Sequence, residues 1–188
     1  MLRIGIIGCG KITQVRHAPE YAENADCRLT AFYDFLPQRA QELAAQYGGQ
    51  AYDSIEALLD SGVDAVSVCV ANADHAAVTI QALNKGIHVL CEKPMATTMA
   101  DCEAMAQAAL ANNRTLMLGH NQRFAKAHME ARKRVAAGET GQIISFHSTF
   151  GHPGPEGWTG QQNSWFFDKT RAVFGALADL GIHKTDLI

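Results

Sequence analysis

Short apolar runs alternate with polar stretches of helical spacing along the first two-thirds of the chain. Leu2–Ile7 is an apolar run of strand length that passes into Gly8-Cys9-Gly10, and a helix is expected to begin just beyond. Residues 28–33 form a second apolar strand. Pro37–Tyr47 has helical spacing, with Ala40, Leu43, Ala44 and Tyr47 on one face, and Gly48-Gly49 closes it. A minimal strand follows at 50–52, then a short helix at 54–59 capped by Ser54 or Asp53. Residues 65–70 are continuously apolar, which suits a parallel strand covered on both faces. A helix at 73–85 stopped by Gly86, a strand at 87–91, a helix at Met99–Ala111 and a strand at 115–119 complete the alternation. Strand and helix in this order predict right-handed crossovers and a doubly wound parallel sheet of the α/β class. After residue 121 the pattern changes. A helix is expected at 122–137 closed by Gly138, an alternating strand at 142–150, a Gly- and Pro-rich loop at 151–160 and a helix at 175–188. The expected division is a sheet domain over 1–121 and a second, α+β domain over 122–188.

In open α/β sheets ligands bind beyond the carboxyl ends of the strands. That rule selects residues 8–10, Asp34, Asn72, residues 91–94 and residues 119–123. Gly8 permits a tight turn and Gly10 a close approach to a pyrophosphate, while Lys11 and Ile12 open a helix whose free N–H groups favour an anion. Asp34 lies 21 residues after Thr13, where a dinucleotide-binding unit places the acid that accepts the adenosine ribose hydroxyls. Thr13 itself departs from the pattern, which prefers Gly or Ala there. An ordinary α/β turn, with Asp34 as a loop acid or helix cap, accounts for the same residues. A carboxylate at 34 followed by Phe35 rather than arginine favours NAD over NADP.

Further along, Glu92-Lys93-Pro94 ends a strand where a lysine reaches the cleft, and Asp179 and His183 share one helix face. Lysine, histidine and carboxylate together suit carbinol oxidation: one group takes the hydroxyl proton, one stabilises the oxygen and one orients the base. Each has a plainer reading, Lys93 as a surface lysine and Asp179 with His183 as a helix pair. His75 reads as a helix-start or loop contact, and Arg39 as either a phosphate partner or a solvated charge.

Composition narrows the classes. The chain has 188 residues, 47% hydrophobic, and a formal net charge of −3. Basic residues are scattered apart from Arg132-Lys133-Arg134, which reads as a helix end, so no nucleic-acid partner is expected. Five cysteines without C-x-x-C spacing point away from disulfides and zinc, and towards a reducing cytoplasm; no metal site is expected. No apolar run approaches membrane-spanning length.

In order, Gly8-Cys9-Gly10, Asn72 with His75, Glu92-Lys93-Pro94, Asn121-Gln122-Arg123 and the stretch from Gly175 to Asp186 resemble the landmarks of the glucose–fructose oxidoreductase/inositol dehydrogenase/rhizopine-catabolism family. The resemblance covers essentially the whole chain, with Ala71, Phe174 and Thr13 as departures. It implies an NAD(P)-dependent oxidoreductase acting on a sugar, polyol or related carbinol, with NAD as the expected cofactor. Lys93, Asp179 and His183 match the family's catalytic positions. The implied cofactor set is Gly8, Gly10, Lys11, Ile12, Asp34, Asn72, His75, Glu92, Lys93 and Arg123, and the substrate side takes Asn121, His152 and Trp158. Family members are substantially longer, with a second-domain sheet that often carries the subunit interface. A homo-oligomer through that sheet is therefore expected, and the strand at 142–150 is expected to lack most of its neighbours. A dinucleotide-binding module without turnover is the alternative.

Overall fold

Successive residues of the first strand face opposite ways, and this places two apolar layers on the two faces of one sheet. Ile4 and Ile6 pack with Leu29, Phe32 and Leu43 in one buried cluster, while Ile7 packs with Leu58, Val66, Leu83, Val89 and Met105 in the other. The computed structural model describes residues 1–160 and 162–188. Among them, six strands form a single sheet: β1 (Leu2–Ile7), β2 (Cys27–Tyr33), β3 (Gln50–Ala51), β4 (Ala65–Val68), β5 (His88–Cys91) and β6 (Leu116–Leu118). Every pairing is parallel and the order is β3-β2-β1-β4-β5-β6. The chain runs outward from β1 to β3, then returns to lay β4 on the other side of β1. The crevice opened by that reversal lies at the carboxyl ends of β1 and β4.

The crossovers are α1 (Ala18–Glu23), α2 (Pro37–Tyr47), α3 (Ile55–Leu59), α4 (His75–Asn84) and α5 (Met99–Ala111). Their ends follow local chemistry. Ser54 Oγ accepts the Ala57 N–H at 3.1 Å and Thr98 Oγ1 accepts the Asp101 N–H at 3.1 Å, each supplying a partner for an otherwise free amide of the first turn. The first helix begins differently from expectation: a wide π turn over Thr13–His17 precedes α1. Thr13 is fully buried and its Oγ1 donates to the Gly8 carbonyl at 2.6 Å. The hydroxyl thus satisfies the glycine turn from beneath, which explains how a side chain is accommodated where Gly or Ala is usual.

After β6, a short 3-10 turn (Asn121–Phe124) leads to α6 (Lys126–Ala136). Two expectations for this half need correction. Residues 142–150 form no strand; their alternation is right, but among the described residues no neighbouring strand offers a ladder, and an unpaired strand is not stable. Within the expected loop 151–160, Pro155–Thr159 folds as a short helix, α7, with Pro at its start and Gly160 in the left-handed conformation at its end. A 3-10 turn (Trp165–Phe167) and α8 (Lys169–Ala172) follow. The final helical stretch is a π turn (Leu177–Gly181) running into α9 (Ile182–Thr185).

Candidate active site

A cleft of about 900 Å³ opens over the carboxyl ends of the strands. Its floor at β1 is set by the glycine turn. Gly8 has φ 99°, and a Cβ there would fall 2.3 Å from the Cys69 carbonyl oxygen, so the turn is closed against the end of β4. Gly10, by contrast, would meet nothing within 4 Å and faces the cleft, as do Lys11 and Ile12. Gly8 shapes the loop and Gly10 leaves its surface open. Asp34, directly after β2, is buried and does not line the cleft. Its Oδ2 accepts the Cys9 N–H at 2.7 Å and its Oδ1 accepts the Leu36 N–H at 2.8 Å. A carboxylate has about four acceptor positions, so capacity for hydroxyl donors is left.

At the ends of β4 and β5 the loops are stitched together by side chains. His75 is buried, with Nδ1 2.6 Å from the Pro94 carbonyl and Nε2 3.2 Å from that of Val70, and burial pushes its pKa down. It holds the two loops in register, and the Lys93-Pro94 bond between them is cis. Asn72 lines the cleft, and its Nδ2 donates to the Ala172 carbonyl at 2.8 Å, tying the sheet to the later part of the chain.

Lys93 and the last helical stretch meet in this cleft. The Lys93 ammonium donates to Asp179 Oδ1 at 3.0 Å and to the Asp179 carbonyl at 2.9 Å, and His152 Nε2 lies 3.3 Å from Asp179 Oδ2. His183 lines the same cleft, is 8% exposed and presents a buried Nδ1 without a partner among the described residues. Burial, and after it the Lys93 charge, lowers the His183 pKa, so the imidazole is neutral near pH 7 and able to take a proton. The ring of Phe150 meets His183 edge-on at 5.9 Å, and Trp158, Trp165 and Phe166 form an aromatic side to the opening. Asn121 also lines it, and so does Arg39.

Arg123 departs from its expected place. It is not among the residues lining the cleft; its guanidinium pairs with the carboxylate of Asp186, 63 residues further on, with Nε at 3.0 Å from Oδ2. Asp186 itself was not singled out from the sequence. Nor was His17, whose Nδ1 is 3.2 Å from Ser67 Oγ and whose Nε2 is 2.8 Å from Oε1 of Glu92, which itself lines the cleft. A signal for it existed: His17 is four residues after Thr13, so two polar side chains share one face of an otherwise inward-turned helix start.

This arrangement can bind a dinucleotide across the glycine turn and present a cation, a neutral base and a carboxylate at one end. The model of an oxidoreductase family with an NAD-binding Rossmann fold matches residues 2–120, and that of the GFO/IDH/MocA C-terminal domain matches residues 128–188. The chain is 35% identical to D-glucoside 3-dehydrogenase of Escherichia coli K12, over 98% of this chain and 52% of that protein. Among solved structures, an inositol dehydrogenase homologue from Azotobacter vinelandii complexed with NAD+ superposes with TM-score 0.85 at 31% identity, covering 99% of this chain and 52% of that one. The 3-ketoreductase KijD10 of Actinomadura kijaniata, complexed with NADP, gives TM-score 0.70 at 29% identity over 76% of this chain and 46% of the other. The chain spans about half the length of the curated relatives it matches. Through these matches the chain belongs to the GFO/IDH/MocA oxidoreductase family with its NAD-binding Rossmann fold.

Proposed function

We propose that this protein transfers a hydride between a secondary alcohol of a sugar or polyol and NAD, with Lys93, Asp179 and His183 at the reacting carbinol. The observation that carries this reading is the meeting of a Lys93–Asp179 ion pair and a buried, neutral His183 in the cleft that also contains the open glycine turn. The residues fit the cofactor. Gly10 leaves room for a pyrophosphate beside the first amides of the helix start, and Asp34 keeps acceptor positions for ribose hydroxyls while repelling a 2′-phosphate. When bound, the nicotinamide supplies the hydride acceptor. His183 takes the hydroxyl proton, and Lys93 hydrogen-bonds the same oxygen and stabilises the negative charge that develops on it. Asp179 orients the ammonium from the far side, and His152 holds the second Asp179 oxygen. Asn121 and the aromatic side formed with Trp158 contact the substrate; apolar C–H faces of a sugar ring suit such a surface.

The relatives named above include a D-glucoside 3-dehydrogenase and an inositol dehydrogenase homologue, so the test uses both classes. NAD is titrated into the protein, and NADH formation is then followed with pyranosides, aldoses and inositols. Turnover is expected on at least one, and Lys93→Met and His183→Asn should each lower kcat by about 10²–10³ while NAD affinity changes by less than about fivefold. Absence of NAD binding, or full activity in both variants, would overturn the assignment. NAD binding without turnover on any substrate would support a dinucleotide-binding module instead.

A further inference from the structure

Glu92 and Lys93 are sequence neighbours of opposite charge, yet each has a different ionic partner. The Lys93 ammonium is held by Asp179. The Glu92 carboxylate turns the other way: Oε1 lies 2.8 Å from His17 Nε2, and Oε2 accepts the backbone N–H of Lys93 at 3.2 Å. Both the imidazole and the carboxylate are largely buried, with side chains 9% and 14% exposed. Holding an ionised carboxylate in such a place without a counter-charge is strongly unfavourable. With the Lys93 ammonium taken by Asp179, the counter-charge in contact with Glu92 is His17. The other side of the ring is also prepared for a donor. Nδ1 faces Ser67 Oγ, and that oxygen is 2.9 Å from the Tyr21 hydroxyl, so an imidazolium finds an acceptor at each nitrogen.

The groups facing His17 come from three elements: Tyr21 from α1, Ser67 and Cys69 from β4 and the residue after it, and Glu92 from the end of β5. Burial alone would lower the imidazole pKa, but the Cys69 sulfur and the Glu92 carboxylate outweigh it and lift the value to about 10. The same pair lowers the Glu92 pKa against its own burial.

We propose that His17 is a positioning residue for Lys93: as an imidazolium it keeps Glu92 ionised, and that carboxylate fixes the Lys93 backbone so that its ammonium is presented to Asp179 and His183. The consequence for catalysis rests on the hydride-transfer reading above; the charge on His17 and the anchoring of Lys93 belong to the protein without cofactor. The first test is therefore made on the cofactor-free, ¹⁵N-histidine-labelled chain. Ring-nitrogen shifts are followed from pH 5 to pH 10, and the His17 signals are identified by their loss in His17→Gln. Both nitrogens are expected to keep imidazolium shifts beyond pH 8, where a histidine of ordinary pKa would be almost wholly neutral. Titration near 6.5 would overturn the proposal.

The second test is amide hydrogen exchange at Lys93. His17→Leu removes donor and charge and should speed that exchange by about tenfold or more relative to Val89 and Leu90, while His17→Gln, which retains a donor but not the charge, should restore only part of the protection. Equal protection in all three proteins would overturn the anchoring. Should His17→Leu fail to fold, the titration of the native protein and the His17→Gln exchange decide the matter. Neither readout needs turnover, so loss of the oxidoreductase reading in the NADH assay and loss of this proposal are separate results.

Discussion

A methyl group added at Gly8 would lie 2.3 Å from the Cys69 carbonyl oxygen on a backbone already at φ 99°, whereas one added at Gly10 would meet nothing within 4 Å. The two glycines of one turn therefore fail in different ways when replaced. Gly8→Ala forces a backbone clash and a left-handed alanine together, and a loss of about 3 kcal/mol or more in unfolding free energy is expected from chemical denaturation. Gly10→Ala should fold with stability within about 0.5 kcal/mol of the native chain. Its methyl group occupies the surface against which the pyrophosphate would rest, so NAD affinity measured by calorimetry should fall by about tenfold or more. A Gly10→Ala protein that binds NAD at native strength would move the cofactor away from this turn. Arg123 and Asp186 show the same dependence on local partners. Arg123 sits at a strand end where a cofactor contact is expected, but a carboxylate 63 residues later draws it off the cleft.

Between elements, the His17–Glu92 pair joins the helix start to the end of β5 and makes folding stability depend on pH. The folded-state pKa of His17, about 10, lies above its ordinary value of 6.5. The folded chain therefore binds more protons in that interval, so the contribution is complete below pH 6.5 and is lost as pH rises through about 10. Glu92 acts with the opposite sign: its pKa is lowered, so its contribution is present above the ordinary carboxylate range and is lost on acidification. Thermal midpoints of the native chain and His17→Gln should thus differ most near pH 6.5 and converge towards pH 10. A difference independent of pH would show that His17 acts by packing alone. This coupling spans 75 residues, and that is why it was hidden in the sequence. Continuous apolar runs such as β4 are legible because burial on both faces leaves a local pattern, and Ser54 because a cap acts three residues away. Lys93, Asp179 and His183 were legible as residue types at fixed spacings. A side-chain pair that closes only after the crossovers pack leaves, at best, an unexplained polar residue on an inward face.

At the scale of the whole molecule, the sheet is covered on both faces but residues 142–150 are not. They carry the alternating apolar character of a strand, form none, and expose Ile143, Phe146, Phe150 and above all Ile144, which is 95% accessible. A segment of alternating apolar residues that is paired in no strand among the described residues, with its side chains exposed, is a template for pairing with another chain. The 188-residue chain is therefore expected to associate with rising concentration and to bind a hydrophobic dye, both measurable by light scattering after gel filtration and by fluorescence. Ile144→Lys combined with Phe146→Glu removes two such side chains at positions away from the cleft lining. Burial of each is worth about 1.5 kcal/mol or more, so the pair should weaken association by roughly two orders of magnitude. NAD binding should be unchanged, because the glycine turn and Asp34 belong to the sheet half of the molecule. A chain that stays monomeric and dye-free throughout, or a double variant that associates as strongly as the native protein, would show that this segment is not the adhesive surface. Loss of NAD binding in the double variant would instead mean that the segment supports the cleft from behind, through Phe150 and its contact with His183.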